Sequence, residues 1–513
     1  MISCVKSDPT QASRAHGRPT PTRTSIWVLA HVVPWLAAAT PAAAQTVDEA
    51  MAAIEGAQPG AEPGSLGTLT LEQLMDSLNV PGLSLAVIRD FGIHWAKGYG
   101  IRDVATGAPV DTETSFQAAS ISKPVAAMGS HTAVQERYLD LDQDINTILT
   151  SWRLDGEGFT DRRPVTPRTL MSHTSGLGDA FGYPGYDPDI ILPTAVQTLA
   201  GHPLSNTQAL FMEREPMTAY EYSGGGVTLQ QVALSDALGR PFAEILWADV
   251  LGPLGMTRSS FAQPMPLPRE ENAAAAHNGE GERSGDARWH VYPEQAAAGL
   301  WTTPSDLARF MIEVQLSVKG ESNVVLDEAH AREMITPVGV GNFAVGFSLQ
   351  REGAGWYFGH GGSNWGFRGD VVAHVSNGYG LTQMTNGDRG GQLMQEIRSR
   401  VERVYSWDSI SESVPRGYRP LADRPTIATG ASELESYVGE YYRAGDLAVV
   451  IRMGDDGLTL SPEGEGVFPL RHIGNRTFRL DGANREVAFE LSGPVVTGFV
   501  MRSGGSQRAW TRR

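Results

Sequence analysis

The spacing of apolar positions changes character several times along this chain. From Leu71 to Val80 apolar residues recur at helical spacing, and Pro81-Gly82 ends the run. Leu83-Ser84-Leu85-Ala86-Val87-Ile88 follows as a β-prone run, and Gly92 to Gly100 reads as its partner across Arg89-Asp90-Phe91-Gly92, which predicts a hairpin near the start of the folded domain. Residues 120–135 and 226–239 read as helices, as does Pro304 to Leu316, where Ser305-Asp306 mark a first turn. The stretch 264–290, with Ala273 to Ala276 and a Gly- and Glu-rich segment behind them, reads as a mobile surface insertion. Pro415, Pro420 and Pro425 punctuate an irregular linker over 408–430. Beyond it come five short β-like segments, Leu447–Met453, Leu458–Ser461, Thr477–Leu480, Val487–Leu491 and Val495–Arg502, which suggest a small sheet or barrel.

The first 44 residues follow a different grammar. Lys6, Arg14, Arg18 and Arg23 precede an apolar run from Ile26 to Ala39, and Ala42-Ala43-Ala44 follows. This is the order of a secretory signal peptide, which predicts cleavage after Ala44 and a periplasmic or secreted product without stable membrane insertion. Cys4 is the only cysteine and leaves with that segment, so thiolate catalysis, zinc-thiolate sites and a disulfide framework are excluded from the mature chain. Losing four basic residues and one acidic residue takes the formal charge from -17 to -20, a field that repels nucleic acid.

Three lysines remain after residue 44, Lys97, Lys123 and Lys319, while arginine supplies the other fixed positive charges. One of them stands in Ser120-Ile121-Ser122-Lys123, where a helical spacing of three sets the amine over the hydroxyl. Pro124 has no backbone N–H and is tolerated only in a first turn, so the helix has to begin near Ser120 and presents its positive end there. Ala118, Ala119, Ile121, Val125, Ala126 and Ala127 surround the pair with apolar groups, and lysine can give up its proton when desolvated. By residue type alone a serine and a lysine three apart on a helix are commonplace, and further blocks are needed to give them meaning.

Those blocks are present. Val80-Pro81-Gly82-Leu83, Phe116 to Pro124, Leu170 to Leu177 (with His173), Tyr222-Ser223-Gly224, Gly299 to Leu307 and His360-Gly361-Gly362 occur in the order found in the serine β-lactamase and penicillin-binding-protein-like hydrolases, the peptidase S12-like group related to class C β-lactamases. The chain resembles that family over roughly residues 66–405, and the tail from about 431, opening with Tyr437 to Tyr442, looks like an appended lipocalin-like barrel. The resemblance implies an α+β fold, an antiparallel sheet flanked by helices with an all-helical lobe, followed by a small C-terminal β-barrel. It implies Ser120 as nucleophile, Lys123 and Tyr222 as proton-handling partners, and the backbone N–H groups of Ser120 and Ser363 as the oxyanion hole.

Two departures bear on the substrate. Gly224 stands where many members carry a side chain that binds the substrate amide, and His360, beside Gly361-Gly362, replaces the family's lysine as a weaker fixed cation. Arg368, close downstream, is the candidate for a substrate carboxylate contact. The expected reaction is acyl transfer through Ser120 on an ester, small amide or peptide; D-alanyl-D-alanine carboxypeptidase, D-amino-acid peptidase and β-lactamase activities stay open, as does a silent penicillin- or peptidoglycan-binding module. No HExxH spacing or nucleophile-elbow Gly-x-Ser-x-Gly occurs, and Gly224-Gly225-Gly226 lacks the lysine of a phosphate loop, so neither metal nor cofactor is expected. His173 reads as part of a structural turn, and Trp301, Trp356, Tyr357 and Trp365 as packing or cleft wall. The sequence sets no oligomeric state.

Overall fold

The computed structural model describes residues 45–513, apart from 157, 179–182, 267, 411–425, 443–447, 455–456, 463–466, 481–484, 494, 504–505 and 513. The predicted leader and most of the predicted linker therefore lie outside the described residues.

The chain enters through two short helices, α1 (Val47–Glu55) and α2 (Leu71–Ser77), each opened by a threonine capping box. The predicted hairpin follows as β1 (Gly82–Arg89) and β2 (Gly92–Asp103), and two short strands come after it, β3 (Ala108–Pro109) and β4 (Phe116–Gln117). Among the described residues every regular element from there to β5 (Trp301–Thr302) is helical, including α3 (Ser122–Gln135), α4 (Pro167–Met171), α5 (Ala195–Leu199), α6 (Gly224–Leu238), α7 (Phe242–Leu246) and the single turn α8 (Gln295–Ala298). After α9 (Pro304–Val318) and α10 (Glu328–Met334), the chain returns to the sheet as β6 (Ser348–Glu352), β7 (Gly355–Asn364), β8 (Phe367–His374) and β9 (Gly380–Thr385), then closes the unit with α11 (Gly390–Val404).

Seven of these strands form one antiparallel sheet in the order β3-β2-β1-β9-β8-β7-β6, and β4 pairs with β5 apart from it. Its first and last segments meet at the centre, where β1 pairs with β9 from Leu83↔Thr385 to Ile88↔Gly380. Both faces are covered, which explains why β1 is a continuous apolar run rather than an alternating one. Ala86 and Ile88 face the core built around α3 and α9, while Leu83, Leu85 and Val87 face Leu74 of α2 and Leu393, Ile397 and Val401 of α11. Eight further strands, β10 (Gly439–Tyr442) to β17 (Ser506–Arg512), form a closed antiparallel barrel around Tyr441, Val449, Ile451, Phe489, Phe499 and Trp510. The fold is thus α+β with a C-terminal barrel.

The stretch 264–290 corrects an expectation. Ala273 to Ala276 are fully buried, and the Ala274, Ala275 and Ala276 amides donate to the carbonyls of Ser115, Arg102 and Arg288. Packing at this point is close: a side chain on Gly366, in the β7–β8 turn, would lie 2.5 Å from Ala276 Cβ. Residues 273–276 are a wall under that turn, whereas Glu280, Glu282, Gly285 and Asp286 of the segment behind them are exposed, as a surface insertion requires.

Candidate active site

The site forms where four pieces of backbone converge. The first is the turn that carries Ser120, the candidate nucleophile. Residues Ala119–Ile121 make a 3-10 turn that runs into α3, so Ser120 precedes the helix and Pro124 sits in its first turn. Ala119 takes a left-handed conformation, φ +50°, uncommon for a residue with a side chain. The turn is pinned on both flanks by one residue: the Ala118 amide donates to Leu300 O at 2.8 Å, and the Leu300 amide donates to Ser122 Oγ at 2.9 Å.

Lys123 is the second piece. Its ammonium donates to Ser120 Oγ at 3.1 Å and to Ala297 O of α8 at 2.8 Å, and lies 4.9 Å from the centre of the Tyr222 ring. The side chain is only 5% exposed, and Ala118, Ala119, Ile121, Val125, Ala126 and Ala127 are all buried about it, as their apolar character led one to expect. Ser120, Lys123 and Tyr222, 102 positions apart at the extremes, are brought together.

Tyr222 is held by a residue that reads as a plain turn in the sequence. His173, left-handed at φ +59°, accepts the Ser223 amide on Nδ1 at 3.2 Å and the Glu221 amide on its own carbonyl at 2.8 Å, so it grips the backbone on both sides of Tyr222. Its ring centre lies 4.3 Å from that of Tyr222. Ser223 caps α6 by accepting the Gly226 amide, and Gly224, buried, occupies the first helical position with its carbonyl accepting from Thr228.

The fourth piece is β7. A Cβ on Gly362 would stand 2.2 Å from Ala118 O, so only glycine lets this strand lie against the turn that carries Ser120. Asn364↔Phe367 closes a two-residue turn and forms a bonded pair; Ser363↔Arg368 is then the next, unbonded pair, whose N–H groups point away from each other. The Ser363 N–H therefore points to the edge of β7 opposite β8, and pairing with β6 ends at Gly359. Asn364 ties this end down, donating to Gln117 Oε1 at 3.0 Å and to Ala298 O at 3.1 Å.

His360 and Arg368 correct the reading of their charges. Burial, then the Lys123 charge, pushes the His360 imidazole down to about 3 against a weak opposing hydrogen bond to Gly361 O, so it is neutral at any ordinary pH and is not a fixed cation. Its Nδ1 donates to Gly361 O at 2.6 Å, which leaves Nε2 as a buried acceptor without a partner among the described residues. Arg368 is engaged within the fold: its guanidinium donates to Asn364 O and Phe367 O, each at 2.7 Å, and to Asp388 Oδ1 at 2.8 Å. It clamps the β7–β8 turn to Asp388 instead of standing free for a substrate carboxylate. Phe343 adds an aromatic wall, 5.8 Å from the His360 ring and 6.3 Å from that of Tyr222, and Trp365 stacks on His290 at 4.0 Å. Among the described residues no group of three or more His, Cys, Asp or Glu side chains could hold a metal ion.

Residues 69–405 match the family described as Beta-lactamase. The chain belongs to that family. Family members are serine hydrolases that act on amide, peptide or β-lactam bonds, and this chain is a serine hydrolase among them. It is 23% identical over 447 residues to penicillin-binding protein 4* of Bacillus subtilis, covering 82% of this chain and 92% of that one. It is 20% identical over 395 residues to protein flp of Staphylococcus aureus, 73% of each chain. Among solved structures it is similar to SurE bound to D-Leu, with TM-score 0.58 and 23% identity over 86% of this chain and 97% of that chain.

Beside the family blocks, the site uses groups that the sequence did not mark. The carbonyls of Ala297 and Ala298 carry no side-chain signature. Gln117 and Asn364, by contrast, sit inside quoted or adjoining motif segments, where a buried amide beside a catalytic block is a readable signal.

Proposed function

We propose that this hydrolase works through an acyl-enzyme on Ser120 and prefers neutral acyl donors, esters or small amides whose binding does not require a carboxylate next to the scissile bond. In the reacting state the contact between Lys123 and Ser120 reverses. The deprotonated amine, with the Tyr222 phenol, takes the proton from Oγ as Oγ bonds to the substrate carbonyl; the tetrahedral oxyanion rests on the Ser120 and Ser363 N–H groups. The bond to the leaving group breaks as that group receives the proton. Water then attacks the ester, the same pair takes its proton, and Ser120 Oγ leaves with it.

The observation that carries the substrate preference is His360, uncharged and buried where a fixed cation would otherwise face the substrate. β-Lactams and acyl-D-alanyl peptides both present a carboxylate, and here neither His360 nor the engaged Arg368 supports holding it. One feature favours a second reading, hydrolysis of D-amino-acid amides: His360 Nε2 is an acceptor suited to a substrate N–H. We also propose that residues 1–44 are a cleaved leader and that the mature enzyme is periplasmic or secreted.

The test is a panel run on wild type and Ser120→Ala: a short-chain p-nitrophenyl ester, D- and L-phenylalanine amides, and a chromogenic cephalosporin. The ester should exceed the cephalosporin in kcat/KM by about 100-fold, in keeping with a lost charge contact of 2–3 kcal/mol, and the variant should be inert. A cephalosporin turned over faster than the ester would refute the neutral-donor reading, and a D-amide leading the panel would select the second.

A further inference from the structure

The one-turn helix α8 is too short to hold itself together. An isolated turn fixes several dihedrals for very few hydrogen bonds, and its residue at the cap position, Glu294, makes no side-chain bond to the first-turn amides. Yet α8 and Leu300, two residues beyond it, anchor much of the site: Ala297 O receives Lys123, Ala298 O receives Asn364, and Leu300 holds both flanks of the turn that carries Ser120. Something outside the segment has to fix it.

Gln231 does so. It lies on α6, nine positions after Tyr222, with its side chain buried. Its Oε1 accepts the Ala296 amide at 2.9 Å, taking the place of the missing cap, and its Nε2 donates to Pro293 O at 3.1 Å. One planar amide thus holds the N-terminal end of the turn, while Gln263 Nε2 donates to Gly299 O at 2.6 Å just beyond its C-terminal end. A small void of about 10 Å³ borders Lys123, Gln231 and Ala296, with Met171, Val227 and Phe242 on its walls, so there is free space beside the Lys123 side chain. The Ala297 carbonyl that receives Lys123 follows directly on the Ala296 amide that Gln231 holds.

We propose that Gln231 is a positioning residue for proton transfer: it couples the helix that follows Tyr222 to the carbonyl that aims Lys123 at Ser120. The inference rests on the catalytic roles proposed above for Ser120, Lys123 and Tyr222. It makes a claim that a merely structural glutamine would not satisfy, because the loss should fall on the chemical step and leave substrate binding alone.

The test uses Gln231→Met, which keeps the length and removes both hydrogen bonds, and Gln231→Glu, which keeps the acceptor for Ala296. Ile397→Val, on the opposite face of the sheet, serves as a destabilised control. With the panel's best substrate, Gln231→Met should lower kcat at least 10-fold with KM within about 2-fold. The rate of Ser120 labelling by a fluorophosphonate should fall by the same factor, Gln231→Glu should lie between, and the control should keep wild-type kcat. A folded Gln231→Met enzyme with wild-type kcat overturns the proposal. If that variant does not fold, Gln231→Glu decides: a 3-fold or larger fall in kcat at constant KM supports it, and wild-type kcat overturns it. Ser120→Ala is run beside these; if it retains turnover, the reading of the site itself has failed, whereas an inert Ser120→Ala beside a fully active Gln231→Met removes the positioning role alone.

Discussion

His360 illustrates what a residue's identity leaves open. Its place in the His-Gly-Gly block is plain in the sequence, but its charge is decided by burial and by Lys123, neither of which a linear motif displays. His131 is in the same condition, fully buried on α3 and also pushed down to about 3 by burial. Both must stay neutral in the folded state, while the unfolded chain takes up their protons below about pH 6.5, so acid removes stability as pH falls from 6.5 towards 3, by up to ~1.4 kcal/mol per unit for each histidine. Glu294 pulls the other way. Burial at the head of α8 raises its carboxyl to about 7, and its own amide and the Thr198 hydroxyl offset only part of that. The folded state therefore favours its protonated form, and this contribution is complete below the unfolded value of 4.5 and is lost as pH rises through about 7. Glu294→Gln should accordingly be nearly neutral at pH 5 and stabilising at pH 8 by up to ~3 kcal/mol. Thermal melts of both proteins across that range check it, and a benefit that shrinks with rising pH would contradict the assignment.

Elements were legible in proportion to how local their cause is. The start of α3 followed from Pro124, and the β1–β2 hairpin from an apolar run and a breaker, because each is dictated by neighbours in sequence. The strands from Ser348 to Thr385 were not read as strands: β7 is glycine-rich, and β9 is buried on both faces, so neither shows a polar alternation. The glycines of β7 instead record an approach that is visible only in three dimensions. Gly362→Ala would place a methyl against the Ala118 carbonyl and force the strand or the turn that carries Ser120 to shift. We expect a stability loss of about 1–3 kcal/mol together with a fall in kcat of about 10- to 100-fold, read from melts and steady-state kinetics. Wild-type kcat in a folded Gly362→Ala enzyme would mean that β7 does not set the position of Ser120.

At the scale of the whole molecule, the order of six short blocks carried most of the information. They resembled the family over roughly 66–405, and the family match runs from 69 to 405. Long-range packing was not written in composition: four consecutive alanines looked like a loose insertion and are instead a buried wall, and five of the eight barrel strands were readable, whereas β10, β13 (with Pro469) and β17 (with Arg508 and Arg512) lack a clear β-prone run. The proposed catalytic triplet gathers Ser120 and Lys123 from the start of one helix and Tyr222 from the residue pair before another, which only the folded chain can do. The central claim is that this assembly activates one serine in the entire molecule. Intact-mass analysis and peptide mapping after treatment with a fluorophosphonate test it most directly. The account predicts a single adduct per chain, on the peptide containing Ser120, absent from Ser120→Ala and slowed at least 100-fold in Lys123→Met; an adduct at another residue, or undiminished labelling of Ser120→Ala, would contradict it.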